Sequence, residues 1–250
     1  MLQADFTLPL QAEITRPVFW KIGHVGKAIF YFLAAVTIVV AVYGVYDRVR
    51  TYVRGSEDPF DRLDGLVGRT VEGTRIVFSN QKQFDRDWVG GLMHAAIFWG
   101  FLVLALGTAI LTVDMDIYRL FFQKTFFVGD FYQSYSLVLD AFGLLFVVGL
   151  GVALYRRYVV RNERLWGPNT SWEDAWLVWS LFLLGVGGYV VEGLRILGTG
   201  FPDFESVSFV GWFAALAFQG TGLDAAGAGD LYPIAWWSHA LLAFLFIASV

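Results

Sequence analysis

Apolar and polar positions along this chain separate into long blocks. Five apolar blocks stand out, at about 25–46, 89–113, 134–155, 175–198 and from Pro233 to Val250, and the first can be extended back to Phe19. Each approaches or exceeds the ~20 residues that a helix needs to cross a hydrocarbon core of ~30 Å. None alternates with period two, which excludes barrel strands and leaves helices. A sixth block, VSFVGWFAALAF at 207–218, is too short to cross and reads as a helix lying in the interface. The pattern predicts an all-α integral membrane protein with an N-terminal segment 1–24 followed by a five-helix domain over 25–250. The fifth block is still apolar at Val250, so that helix reads as continuing beyond the last residue.

Composition agrees with this pattern. The chain is 57% hydrophobic and only 16% charged, whereas a soluble domain is about half apolar and a quarter charged. The net charge of −4 is spread along the chain, with no basic stripe for nucleic acid. The start, MLQADFTLPLQAEITRP, lacks a basic region followed by an apolar one, so no cleavable signal peptide is expected. Cysteine is absent, which excludes disulfides, thiolate-held iron–sulfur clusters and covalently attached haem from these residues.

Positive charge predicts the orientation. The first loop carries Arg48, Arg50, Arg54, Arg62, Arg69, Arg75, Lys82 and Arg86, and the third carries Arg156, Arg157, Arg161 and Arg164. The second has only Arg119 and Lys124, and the stretch from Gly198 to Tyr232 has no Lys or Arg. The first and third loops are therefore expected in the cytoplasm of a prokaryote, with the N-terminus outside the plasma membrane and the fifth helix running inward. Asn169-Thr170-Ser171 fits a glycosylation acceptor, but on the cytoplasmic side it reads as chance.

Only three histidines are present, His24, His94 and His239. Ionisable groups inside spans are rare and point to function. By helix rise His94 lies roughly 9 Å to the cytoplasmic side of the midplane and His239 roughly 7 Å to the outer side, a separation of ~16 Å. Two histidines that clamp one haem need similar depth, so these two are expected to serve different sites. His24 can pair with His239 near the outer face, and a partner for His94 would lie past Val250. A lone intramembrane histidine also serves as a plain interhelical hydrogen-bonding group.

Other polar residues fall within or beside the blocks. Asp140 lies in the third, and Glu192 and Arg195 share a helical face at the end of the fourth. Arg195 can neutralise Glu192 or hold a haem propionate. Asp140 and Glu192 are candidates for quinone protonation, and Lys124 is a weaker candidate for quinone contact. Each has an alternative in interhelical bonding or snorkelling. Gly143, Gly149, Gly151, Gly185, Gly187 and Gly188 permit close helix approach, and equally leave room for a porphyrin.

The order GLMH, WGF, EGLRI and WWSH along the second, fourth and fifth blocks resembles the cytochrome b membrane domain of the respiratory nitrate reductase gamma-subunit superfamily. It is more similar to the membrane part of heterodisulfide-reductase-related iron–sulfur oxidoreductases, which include partners of electron transfer flavoprotein. The resemblance runs from RPVFWKIGH onward. It implies one or two b-haems, exchange with menaquinone or ubiquinone, and a cytoplasmic iron–sulfur domain or subunit. His94 matches the first of two haem-ligating histidines in the second helix of the gamma subunit, and Leu104 stands where the second is. His239 matches the first of two in the fifth helix. An outer haem would then need His24.

The expected function is electron transfer between that iron–sulfur partner and the quinone pool. His94, His239 and His24 would be haem ligands, Arg195 a propionate anchor, and Asp140 and Glu192 proton carriers. A proton-coupled transporter or channel using Asp140, Glu192, Arg195 and His239 is a second reading. A structural anchor for a fused soluble redox domain is a third.

Overall fold

In a computed structural model of the chain the described residues are 14–55, 65–85, 87–161 and 171–249. Residues 1–13 of the N-terminal segment, Arg62, Arg86, Arg164, Asn169, Thr170 and Val250 lie outside them. Five helices are long and apolar enough to cross a membrane: α1 Gly23–Val53, α4 Trp88–Thr112 with its extension, α6 Gly129–Tyr158, α7 Trp172–Gly198 and α9 Ala225–Ser249. Between α1 and α4 lie α2 Leu66–Ser79 and α3 Gln81–Phe84. Between α7 and α9 lie a 3₁₀ turn, Asp203–Val207, and α8 Phe209–Gly220. No strand occurs among the described residues. The expected all-helical multi-pass architecture, with a short sixth apolar helix, is the one observed.

Two boundaries differ most from the apolar pattern. The second block stops at Val113 because Asp114 and Asp116 follow. The helix nonetheless continues through a π-helical stretch, Val113–Tyr118, into α5 Arg119–Phe122. It can do so because the fully buried Asp114 carboxylate is satisfied. It accepts from Arg119 Nε, Thr125 Oγ1 and the Phe126 backbone N–H, each at 2.9 Å. The fifth helix begins at Ala225, not Pro233, and carries Pro233 inside it. Pro233 has no N–H for the Gly229 carbonyl and crowds it. Gly229 has no side chain to add to that crowding, and Trp20 and Lys21 pack on it.

The long helices alternate in direction, and glycines set several contacts. A Cβ on Gly100 would stand 2.9 Å from the Phe142 carbonyl of α6, and one on Gly149 3.1 Å from Ala96 of α4. Likewise Gly185 of α7 faces Val147 of α6. Helices α1 and α9 run parallel, joined by Phe30 against Trp236 and Phe244. One end of the bundle, the N-terminal face, holds the starts of α1, α6 and α9 and the ends of α4 and α7. Its packed centre includes Ile22, Leu194, Ile196, Ala215 and Tyr232, with Phe127, Tyr132 and Tyr135 beside it. Many large apolar side chains elsewhere point outward, Phe32 and Val39 being more than 65% exposed, as a surface facing lipid requires.

Candidate functional site

At the face opposite the N-terminal one, the chain turns from α2 into α3 through Asn80. Asn80 has φ 51° and ψ 18°, a left-handed conformation in which Asn is tolerated better than most side chains. Its amide is directed inward and the residue is only 2% exposed. Phe84 of α3 packs on Gly91 of α4, where a Cβ would stand 2.7 Å from the ring. This sets α3 against the start of α4 and brings Asn80 to His94. Asn80 Oδ1 lies 2.9 Å from His94 Nδ1. An amide oxygen only accepts, so Nδ1 is the donor of this bond, and Nε2 is left for another partner. His94 lines a crevice of about 290 Å³ with Ile97, Phe98 and Phe101 of α4, Leu181 of α7 and Phe246 of α9. An imidazole held at Nδ1 thus borders an otherwise apolar space.

His239 sits against α7 at another level. Its Nδ1 is 3.1 Å from where a Gly187 Cβ would be, and its Cε1 is 3.8 Å from that of Gly188. Nδ1 is buried and has no hydrogen-bond partner. Gly187 follows Leu181 by six residues, about 9 Å along α7. The two histidines therefore occupy different depths, and the structure does not bring them together. His24, in the first turn of α1, is exposed. Trp236, Trp237 and Phe244 of α9 meet α1, while His239 is turned toward α7. The structure thus does not join His24 to His239 either.

The polar residues of the N-terminal face are tied to one another. Arg195, at the end of α7, donates to both Glu205 oxygens, with Nη2–Oε2 at 3.0 Å and a second bond from Nη1 to Oε1. Tyr132 donates to the same carboxylate at 2.8 Å. Arg195 and Glu205 are 3% and 1% exposed. Glu192 lies 3.6 Å from Arg195, so the expected i,i+3 pair exists but is the looser of two. A propionate at Arg195 would have to displace a carboxylate already there. Asp140 accepts from the backbone N–H groups of Val210 at 2.8 Å and Gly211 at 3.1 Å. These are the second and third residues of α8, where a helix presents unpaired N–H groups and partial positive charge. Asp140 therefore caps α8 from across the fold. Glu192 packs on Gly211, whose Cβ would stand 2.7 Å from its carboxylate. Lys124 is exposed beyond α5.

Sequence reasoning missed Asn80, Asp114, Tyr132 and Glu205. Asp114 and Glu205 border apolar blocks, and their acidity there was a usable signal. Nothing local in the sequence singles out Asn80. Among the described residues no group of three or more His, Cys, Asp or Glu side chains is arranged to hold a metal ion. The three histidines stand apart from one another.

Over 230 residues, 89% of its length, the chain is 30% identical to the EtfAB:quinone oxidoreductase of Syntrophomonas wolfei. Over 229 residues it is 25% identical to the probable iron–sulfur-binding oxidoreductase FadF of Bacillus subtilis. It spans only 31% and 30% of the lengths of these curated relatives. No family model matches the chain, and no solved structure does. The chain is a multi-pass membrane relative of oxidoreductases.

Proposed function

We propose that this chain is a b-haem-binding membrane domain that passes electrons between a cytoplasmic iron–sulfur partner and the quinone pool. The observation that carries the reading is His94, held at Nδ1 by Asn80 with Nε2 free on an apolar crevice. A metal-bound imidazole characteristically gives its other N–H to an acceptor that fixes its tautomer and aim. The buried, unpartnered His239 nitrogen beside Gly187 and Gly188 supports a second ligand position at a different depth. The relatives' names support the quinone and iron–sulfur ends of the path. With no cysteine in this chain, a thiolate-held cluster belongs to another domain or subunit, reached from the Arg-rich face.

His94 and His239 would hold haem iron, and haem supplies reversible one-electron transfer when bound. The chain supplies the rest. Phe98, Phe101, Leu181 and Phe246 give the His94 side an apolar lining. Gly187 and Gly188 leave the space that His239 faces. Asp140 keeps α8 in place. Glu192, with one ion-pair contact to Arg195, would be the carboxylate that exchanges a proton with a quinol.

A reduced-minus-oxidised absorption spectrum of the purified full-length protein tests the reading. A b-type α-band is expected, and His94→Ala and His239→Ala are each expected to remove or alter a haem signal. A colourless wild-type protein overturns the proposal. An unchanged spectrum and haem content in both variants removes these histidines from it.

A further inference from the structure

Two buried donors near His94 lack partners. Asn80 Oδ1 is used by His94, but Asn80 Nδ2 is buried with no acceptor. Arg156, near the end of α6, pairs through Nη2 with Asp87, just before α4, while its Nη1 is also buried without an acceptor. That Nη1 lies 3.2 Å from where a Gly90 Cβ would be. Gly90 precedes His94 by four residues, one turn on the same side of α4. Both orphan groups therefore lie within about a turn of His94, toward the membrane surface. A buried donor left unpaired costs roughly 1–3 kcal/mol, and both here lack the same thing, an acceptor. A glycine would satisfy the left-handed turn at residue 80. What asparagine adds is the amide.

We infer that Asn80 and Arg156 form the polar end of the His94 site. Asn80 is a positioning residue that fixes the tautomer and aim of His94, and Asn80 Nδ2 and Arg156 Nη1 receive a carboxylate of the ligand His94 holds. The inference rests on the haem reading, in which that carboxylate is a propionate. It assigns the propionate to this face, where donors are free, and not to Arg195, whose donors are engaged by Glu205. Donation from Nδ1–H to Asn80 makes the imidazole more basic and favours oxidised iron. The Arg156 charge favours reduced iron.

The test is redox titration of the His94-dependent haem in full-length protein, with melting curves to verify the fold. Asn80→Gly suits the backbone and removes the amide, so the protein should stay folded while the midpoint potential moves away from the wild-type value. Asn80→Asp keeps an acceptor at Nδ1 and adds charge, so the potential should fall. Arg156→Gln should lower the potential and speed haem loss, and Arg156→Lys should restore both in part. Should Asn80→Gly fail to fold, the Asp and Arg156 variants decide. If wild-type protein has no haem, the haem reading fails and this inference with it. If haem is present and lost in His94→Ala, but Asn80 and Arg156 variants titrate like wild type, this inference alone is overturned.

Discussion

Cutting the Arg195–Glu205 pair from one side should destabilise the protein far more than removing both partners. Each side chain is almost wholly buried, and removing one member of such a pair strands the other, at about 3–5 kcal/mol. The two single variants should differ. Arg195→Met leaves Glu205 without its cation and also strips Glu192 of its partner at 3.6 Å, so it belongs near the upper end, about 5 kcal/mol. Glu205→Met leaves Arg195 free to lean on Glu192, so it belongs near the lower end, about 3 kcal/mol, plus about 1 kcal/mol for the Tyr132 hydroxyl that loses its acceptor. In the double variant no charge of the pair remains, and apolar replacement of a buried pair is often close to neutral. The coupling energy of the cycle should therefore reach about 3 kcal/mol or more. At roughly 2–4 °C per kcal/mol for a domain of this size, the single variants should melt about 8–20 °C below wild type, and the double variant should recover most of that. The assay is thermal unfolding of the detergent-solubilised protein by circular dichroism for all four members of the cycle. Additive losses, with the double variant worse than either single, would refute the reasoning.

Asp140→Ala leaves the Val210 and Gly211 N–H groups without an acceptor, at roughly 2–4 kcal/mol. Hydrogen exchange should accelerate across α8 and not across α4, and uniform protection would count against the capping role. Gly211→Ala places a Cβ 2.7 Å from the Glu192 carboxylate, an overpacking cost of roughly 1–3 kcal/mol. Adding Glu192→Ala should recover part of the lost melting temperature, and no recovery would mean the clash lies elsewhere. The Arg156 guanidinium holds Asp87 below the usual carboxylate range. A lowered folded-state pKa gives stability that is present above the unfolded value of ~3.9 and is lost as pH falls through the folded one. The melting difference between wild type and Asp87→Asn should thus be full near neutral pH and vanish in strong acid; a difference constant with pH would contradict it.

The sequence makes the five crossings and the short apolar helix readable, because block length against bilayer thickness is a one-dimensional quantity. Helix ends are less readable. The extension past Val113 depends on Arg119, Thr125 and Phe126 meeting Asp114, and the start at Ala225 depends on Trp20 and Lys21 packing on Gly229, one turn before Pro233. The candidate site follows the same division. The separate depths of His94 and His239 can be worked out from helix rise alone. Asp140 was legible as a buried carboxylate, but its partners are backbone N–H groups some 70 residues on, and no side-chain pattern announces those. Arg195 was legible as a charge with a neighbour at i−3, yet the stronger partner comes from a 3₁₀ turn in the following connection. Asn80 is an ordinary turn residue until α3 packs Phe84 onto Gly91 and delivers its amide to His94.

The distribution of paired and unpaired groups separates the two faces. At the N-terminal face the buried charges of Asp114, Asp140, Arg195 and Glu205 all have close partners within the chain. Such groups hold elements in register and have little left to offer a ligand. Near the opposite face Asn80 Nδ2 and Arg156 Nη1 are buried and unpaired, beside a histidine whose free nitrogen borders an apolar crevice. The fold gains nothing from unpaired donors, whose desolvation is a standing cost. A ligand with a metal for His94, an apolar body for the crevice and an acceptor for the two donors would remove that cost on binding. Binding should then raise the melting temperature, increasingly so with free ligand concentration, and His94→Ala should abolish the rise, lowering the melting temperature of the ligand-free protein only by the loss of its bond to Asn80.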